Sequence, residues 1–138
     1  MKRKTFLVLI GIVGFIVGSV ALLAPAILLQ GKGVAPEGAA MVWMRETGVL
    51  ILSISVILFL LRDEADSRAM RAVLWGNALV HAGLLPIEIS AWRSGVITRL
   101  DGIAPNSALH LLAAGGFIVF AIRVVPSSAR EQAASGEG

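Results

Sequence analysis

Hydrophobic residues fall in four long blocks along the chain, and short polar or charged segments separate them. Each block is about 20 residues long, the length of α-helix that crosses a hydrocarbon core roughly 30 Å thick. The blocks are continuously apolar, whereas a transmembrane strand alternates apolar and polar positions. The predicted fold class is therefore all-α, an integral membrane four-helix up-and-down bundle. We predict spans at about residues 5–29, 41–62, 70–92 and 107–125.

The first block, Phe6–Leu29, is uncharged and follows three basic residues at positions 2–4. A cleaved signal peptide also begins with basic residues, but its apolar core has only about 7–15 residues. We therefore expect a retained helix.

Pro25 lies late in this block and Pro86 late in the third, and a proline in a helix leaves one carbonyl unpaired and can bend the helix. The prolines predict either bends that open one end of the bundle or simple helix termination.

Composition and charge agree with a membrane location. The chain is 57% hydrophobic and 15% charged, against about 45–50% and 25% in soluble domains. Basic residues flank the apolar blocks and form no single patch, so the pI near 10.2 indicates membrane anchoring and not nucleic-acid binding. Eight of the twelve Lys and Arg residues lie on the side of the N-terminus. The positive-inside rule then predicts a multi-pass protein of the inner (plasma) membrane with both termini in the cytoplasm.

The chain is predicted to form one domain, residues 1–126, followed by a polar and mobile cytoplasmic tail, residues 127–138. It contains no cysteine, which excludes disulfides, thiolate metal sites and iron–sulfur clusters. Any redox chemistry would need a borrowed cofactor.

Small residues form a stripe on the first predicted helix, at Gly11, Gly14, Gly18 and Ala21. Such spacing lets two helix backbones approach closely. We predict packing inside the bundle, with a homodimer contact as the alternative. Residues 113–116 of the fourth span are also small, so the first and fourth spans are expected to pack together.

Polar side chains inside the predicted spans mark the candidate functional site, because a charged group at the bilayer centre costs at least about 2.5–3.5 kcal/mol. Asn77, His81 and Glu88 share one face of the third helix at about 100° per residue. No catalytic residue and no metal site is predicted, and Asn77 is interpreted as a structural polar residue. The candidate ligand-binding residues are Arg45, Glu46, His81, Glu88 and His110.

Arg45 and Glu88 each lie about four residues inside the same edge of the predicted second and third spans. These spans are expected to be antiparallel neighbours, so we predict an Arg45–Glu88 ion pair, joined by His110. The pair either has a structural role or forms the polar floor of a pocket. As an alternative, Glu46 pairs in part with Arg45. His81 is predicted to lie roughly 10 Å deeper than His110, which argues against shared haem ligation.

Two sequence segments, residues 22–25 (LLAP) and residues 44–48 (MRETG), carry a family resemblance. Together with four short spans and a third span that is polar towards one end, they resemble the DoxX-like group of small bacterial membrane proteins over residues 5–125. The resemblance implies a four-helix bundle, and some members of that group are linked to quinone-coupled sulfur oxidation or to oxidoreductase complexes. This chain has no cofactor motif, so independent catalysis is not expected.

The preferred functional hypothesis is a small accessory or binding protein with an outward-facing pocket for a lipid-like or quinone-like ligand, and with no other cofactor. One alternative is a membrane subunit of a quinone-linked oxidoreductase complex, in which His81 and Glu88 assist proton movement. Another is a homo-oligomeric transporter or channel unit. The expected partners are membrane lipid and either further copies of the chain or a larger membrane complex, without nucleic acid.

Overall fold

A computed structural model describes residues 1–125 of the chain, and the tail predicted for residues 127–138 lies outside them. The described part is all-helical. Its α-helices are α1 (Arg3–Leu23), α2 (Pro25–Gly31), α3 (Gly38–Leu61), α4 (Arg68–Arg93) and α5 (Leu100–Arg123). Four of them, all except the short α2, are long and apolar enough to cross a membrane.

The first predicted span consists of two helices, because the chain leaves helical geometry at Ala24, with φ −137° and ψ 55°. Pro25 is the first residue of α2. A residue that precedes proline is disfavoured in the helical region, and proline has no N–H to continue the hydrogen bonding of α1. Pro25 therefore interrupts the first span. Pro86, in contrast, lies inside α4, which continues through it.

Glycine allows α1 and α3 to pack backbone against backbone. A Cβ atom on Gly48 of α3 would lie 2.6 Å from the backbone nitrogen of Leu22 and 2.9 Å from the carbonyl oxygen of Gly18. Gly14 of α1 lies against the side chain of Ser55, with 2.5 Å between such a Cβ and the hydroxyl oxygen. The small-residue stripe of the first span thus packs within the chain, as predicted, and its partner is α3.

The long helices associate mainly as two pairs, α1 with α3 and α4 with α5. The second and third spans, which were expected to be antiparallel neighbours, thus pack mainly on other helices. The two pairs meet in an apolar core towards the end of the molecule that holds the N-terminus. There the Phe6 ring of α1 contacts Phe117 of α5 edge-on, with ring centroids 4.9 Å apart. The buried core residues are Phe6, Leu7, Leu58, Met70, Leu74, Ala78, Ala113, Phe117, Ala121 and Val124.

Ion pairs join the N-terminus to the connection between α3 and α4. Arg3 pairs with Asp66, and Lys4 lies 2.6 Å from Asp63. The hydrogen bond from Lys4 lowers the pKa of the Asp63 carboxyl below its usual value. Ser67 then caps α4, because its hydroxyl accepts a hydrogen bond of 3.0 Å from the backbone N–H of Met70.

The other two connections meet at the opposite end of the molecule. The carbonyl oxygen of Lys32 accepts hydrogen bonds from the backbone N–H groups of Thr98 and Arg99, at 3.2 and 3.3 Å. Gly33 has φ +72° and its space is filled by Thr98 and Arg99, so a side chain at this position would be strained and would clash. These contacts tie the segment after α2 to the connection between α4 and α5.

Candidate functional site

His81 of α4 and His110 of α5 form a hydrogen-bonded pair. Their Nδ1 atoms are 2.8 Å apart, and their ring centroids are separated by 5.1 Å. One Nδ1 carries the hydrogen and the other accepts it, because two N–H groups cannot face each other at this distance. The His81 ring also stacks on Phe117, with an interplanar angle of 16°. The two imidazoles therefore lie at one level and rest on the apolar core.

The predicted depth difference of roughly 10 Å between the two histidines is wrong. Helix α5 begins at Leu100, seven residues before the predicted start of the fourth span, and seven residues span about 10 Å of helix. Gly102 and Pro105 indicated a loop in the sequence. Pro105 is the sixth residue of α5, where it removes one backbone hydrogen bond and crowds the carbonyl of Asp101, and the helix nevertheless continues through it. Asp101 in the first turn is favourable beside the positive end of the helix dipole.

A cavity of about 110 Å³ lies beside the histidine pair, between α1, α3, α4 and α5. Its walls are mostly aliphatic, and no charged side chain of the described part of the chain lines it. Val80, which is 43% exposed, belongs to the lining, so the cavity reaches the molecular surface beside α4. The polar residues that line the cavity are Ser55, Asn77, His81, Asn106 and His110.

Asn77 lines this cavity, and its side-chain amide is only partly hydrogen-bonded. The residue is only 8% exposed, and its side-chain nitrogen donates a hydrogen bond of 2.9 Å to the carbonyl oxygen of Val73 one turn earlier. Its oxygen Oδ1 is buried without a hydrogen-bond partner in the described part of the chain. A buried polar atom left unpaired costs about 1–3 kcal/mol. The structural role predicted for Asn77 thus accounts for its nitrogen, whereas its oxygen is enclosed by the protein without a partner in the described chain.

Glu88 lies nearer the end of α4 and is 6% exposed. Its carboxylate accepts a hydrogen bond of 2.6 Å from the Lys32 ammonium, one from the Asn106 amide, and one of 2.8 Å from the Ser107 hydroxyl. We refer to these four residues as the Glu88 network. Asn106 also lines the cavity, so the network borders the cavity on the side away from the apolar core.

The predicted Arg45–Glu88 ion pair is wrong, because Glu88 pairs with Lys32. Arg45 and Glu46 are both exposed on α3 and form no ion pair within residues 1–125. The prediction took the second and third spans as antiparallel neighbours at matched depth, whereas α3 packs mainly on α1. His110 hydrogen-bonds His81 and does not join an ion pair.

The structure thus brings together His81, His110 and Asn77 at the cavity, places Glu88 beside it, and leaves Arg45 and Glu46 away from it. The residues missed by sequence reasoning are Lys32, Asn106 and Ser107. The sequence does contain a signal for such partners. In two antiparallel helices joined by a short segment, residues that face each other lie at nearly equal distances along the chain from that segment. Both His81 with His110 and Glu88 with Asn106 satisfy this condition about residues 94–99.

Among the described residues, no group of three or more His, Cys, Asp or Glu side chains is arranged to hold a metal ion. Comparisons with protein-family models, with curated proteins and with solved structures gave no match.

Proposed function

We propose that this protein is an integral membrane four-helix bundle of the accessory or binding type, which holds a lipid-like or quinone-like ligand in the cavity between its helices. The observation that carries this proposal is the cavity between the helices, in which Asn77 and the histidine pair line otherwise mostly aliphatic walls. Ligand sites characteristically combine apolar walls with a few polar groups that fix orientation.

The membrane arrangement is supported by the spacing of charges along α3 and α4. About 15 uncharged residues separate Glu46 from Arg62 on α3, and a similar number separate Arg71 from Glu88 on α4. Such a segment is about 23 Å long, and long basic side chains extend it towards the roughly 30 Å of a hydrocarbon core. The eight-to-four distribution of Lys and Arg supports both termini on the cytoplasmic side of the inner membrane.

Membership of the DoxX-like group is part of this proposal. Two residues that carry the resemblance have identifiable roles in this chain: Pro25 begins α2, and Gly48 permits the close contact of α1 with α3. Both roles are structural, so the resemblance supports the bundle more directly than it supports any activity.

A membrane subunit of a quinone-linked oxidoreductase complex is the second candidate function. The observation that favours it is the hydrogen-bonded pair of His81 and His110, because imidazole accepts and releases protons near neutral pH. Purification separates the two candidates. A stable multi-subunit or coloured complex supports the oxidoreductase subunit, whereas a ligand bound to the isolated chain supports the binding protein.

The test of the preferred function is native mass spectrometry of the protein released from lipid nanodiscs, with extraction and identification of any bound small molecule. Val80→Trp places a large ring at the surface opening of the cavity. Leu79→Trp is the matched control, because Leu79 is adjacent and exposed but does not line the cavity.

We expect the wild type and Leu79→Trp to retain a bound amphiphile, and Val80→Trp to lose at least about nine-tenths of it. Equal occupancy in all three proteins would mean that the molecule binds elsewhere. Absence of any bound molecule from the wild type, together with no uptake of added lipid or quinone, would refute the proposal.

A further inference from the structure

We infer that one exposed side of α3 is the contact surface between two copies of this chain, which associate in the membrane as a parallel dimer. In this dimer, Arg45 of each copy pairs with Glu46 of the other. The inference takes from the proposed function only the membrane arrangement and does not depend on what the cavity holds. It follows from a stripe of residues along α3 and from two charges that have no partner within residues 1–125.

Six exposed residues of α3 form a straight stripe along the helix. Successive members are separated by four, three, four, three and four residues, the alternation that keeps one seam of a helix facing a second helix. No helix of the described chain covers this seam, because its three valines are 47–52% exposed and its leucine is 71% exposed. The residues of this α3 stripe are Val42, Glu46, Val49, Ser53, Val56 and Leu60.

Two features of the α3 stripe favour contact with a second helix over contact with lipid. Lipid tails are themselves apolar, so apolar side chains alone do not draw helices together in a membrane, whereas small residues let the backbones approach. Ser53 supplies such a small residue in the middle of the stripe. Val42 lies about 6 Å beyond Glu46, outside the uncharged segment of α3, so its burial against a second copy would remove apolar surface from water.

Arg45 and Glu46 are the charges that a second copy would neutralise. Both side chains are exposed, and neither makes an ion pair within residues 1–125. Adjacent helical residues point about 100° apart, which disfavours pairing of the two with each other. Glu88 of α4, in contrast, has its cation in Lys32 of the same chain. The unneutralised charges of the described α3 therefore lie in the α3 stripe and directly beside it.

A two-fold axis along the membrane normal satisfies both charges at once. Copies that share one membrane orientation then place their α3 helices parallel, with equivalent residues at the same depth. When seams of this spacing pack, Glu46 fits into a hole of the facing helix that includes the residue preceding its own equivalent, which is Arg45. Each Glu46 therefore meets Arg45 of the other copy. The surface is self-complementary, as a two-fold interface must be.

The first test uses cysteine cross-linking, because the chain contains no cysteine of its own. Val49→Cys places a thiol on the α3 stripe. Leu50→Cys is the matched control, because Leu50 is the next residue, is 65% exposed and points about 100° away. Each variant is oxidised with copper phenanthroline in native membranes, and the linked dimer is quantified on non-reducing gels. We expect Val49→Cys to cross-link at least about tenfold faster, because a disulfide needs closely facing Cβ atoms.

The second test changes the charges and measures association by energy transfer between labelled copies in liposomes at a fixed protein-to-lipid ratio. Arg45→Glu gives each copy two anions and Glu46→Arg gives each copy two cations, so each variant should lose self-association about tenfold through like-charge repulsion. The two variants mixed together should associate as the wild type does. The double variant Arg45→Glu/Glu46→Arg should also self-associate again.

The α3 stripe is narrow, so we expect excess detergent micelles to separate the copies, and both tests are therefore made in membranes. Tryptophan fluorescence verifies that each variant is folded. Equal cross-linking of Val49→Cys and Leu50→Cys overturns the inference. Unchanged self-association of both charge variants overturns it as well and leaves the two charges to lipid head groups. More than two copies per assembly, counted by single-molecule photobleaching, would exclude the two-fold dimer.

The dimer and the binding function fail independently. Val80→Trp should lose the cavity ligand and still cross-link through Val49→Cys, because Val80 belongs to α4 and the contact surface to α3. A wild-type protein that retains a bound amphiphile without forming the dimer would refute this inference and leave the proposed function standing.

Discussion

Removing the ammonium group of Lys32 should destabilise the end of the molecule opposite the N-terminus. Lys32→Met keeps most of the aliphatic chain and leaves Glu88, only 6% exposed, without its cation. Breaking a fully buried ion pair costs about 3–5 kcal/mol. The Lys32 side chain is 26% exposed, and Glu88 keeps hydrogen bonds from Asn106 and Ser107. We therefore expect a smaller loss, about 1.5–3 kcal/mol of unfolding free energy.

Unfolding by sodium dodecyl sulfate in mixed micelles, followed by tryptophan fluorescence, gives the measurement. The matched control is Arg45→Met, which removes an exposed cation from α3 that has no ion-pair partner in the described chain. We expect this control to change stability by less than about 0.5 kcal/mol. In the double variant Lys32→Met/Glu88→Gln the buried charge is gone, so at least half of the loss caused by Lys32→Met should be recovered.

Strictly additive effects of Lys32→Met and Glu88→Gln would show that the two side chains do not interact. A loss in Arg45→Met as large as that in Lys32→Met would restore the Arg45–Glu88 pair expected from the sequence. Either result would refute the reasoning from the Glu88 network.

Three further predictions concern other parts of the molecule. Gly48→Ala should lower the unfolding free energy by about 1–3 kcal/mol in the same assay, because the new methyl group would press on the backbone of α1. Gly76 faces open space, so the control Gly76→Ala should be neutral or slightly stabilising. His110→Leu should lower the unfolding free energy by about 1–3 kcal/mol, because it leaves His81 without its hydrogen-bond partner. The double variant His81→Leu/His110→Leu should be less destabilised than His110→Leu. An equal or greater loss in the double variant would contradict the pairing. Reporter fusions at the C-terminus and within residues 30–40 should report opposite sides of the membrane; the same side for both would contradict four spans.

The four long apolar helices could be predicted from the sequence because the length and apolarity of a run are local properties. The interruption of the first span at Pro25 follows from equally local stereochemistry. The start of α5 was missed because Gly102 and Pro105 favour a loop by propensity, while the structure continues the helix through them. Propensity is a weak preference, and the contacts of α5 with α4 override it.

In the candidate site, too, features that depend on one helix could be predicted from the sequence, and features that depend on several helices could not. Angles around one helix are local, so the shared face of Asn77 and His81 was predictable. Partners on other helices depend on which helices pack and at what register. The error of seven residues at the start of α5 separated His110 from His81 in the prediction, and the assumed contact of the second with the third span assigned Glu88 to Arg45 in place of Lys32.

The cavity persists between the helix pairs because their closest contacts lie at either side of it. On the side of the cavity nearer the N-terminus, Phe6 and Phe117 pack in the apolar core. On the opposite side, Lys32 joins the segment after α2 to Glu88 of α4. Between these two contacts, mostly aliphatic side chains of α1 and α3 line one side of the cavity, and α4 and α5 contribute the polar side chains of Asn77, His81, Asn106 and His110. Polar side chains that face aliphatic ones gain no hydrogen bonds when the two helix pairs approach, and they lose contact with any water in the cavity, so these side chains oppose its collapse.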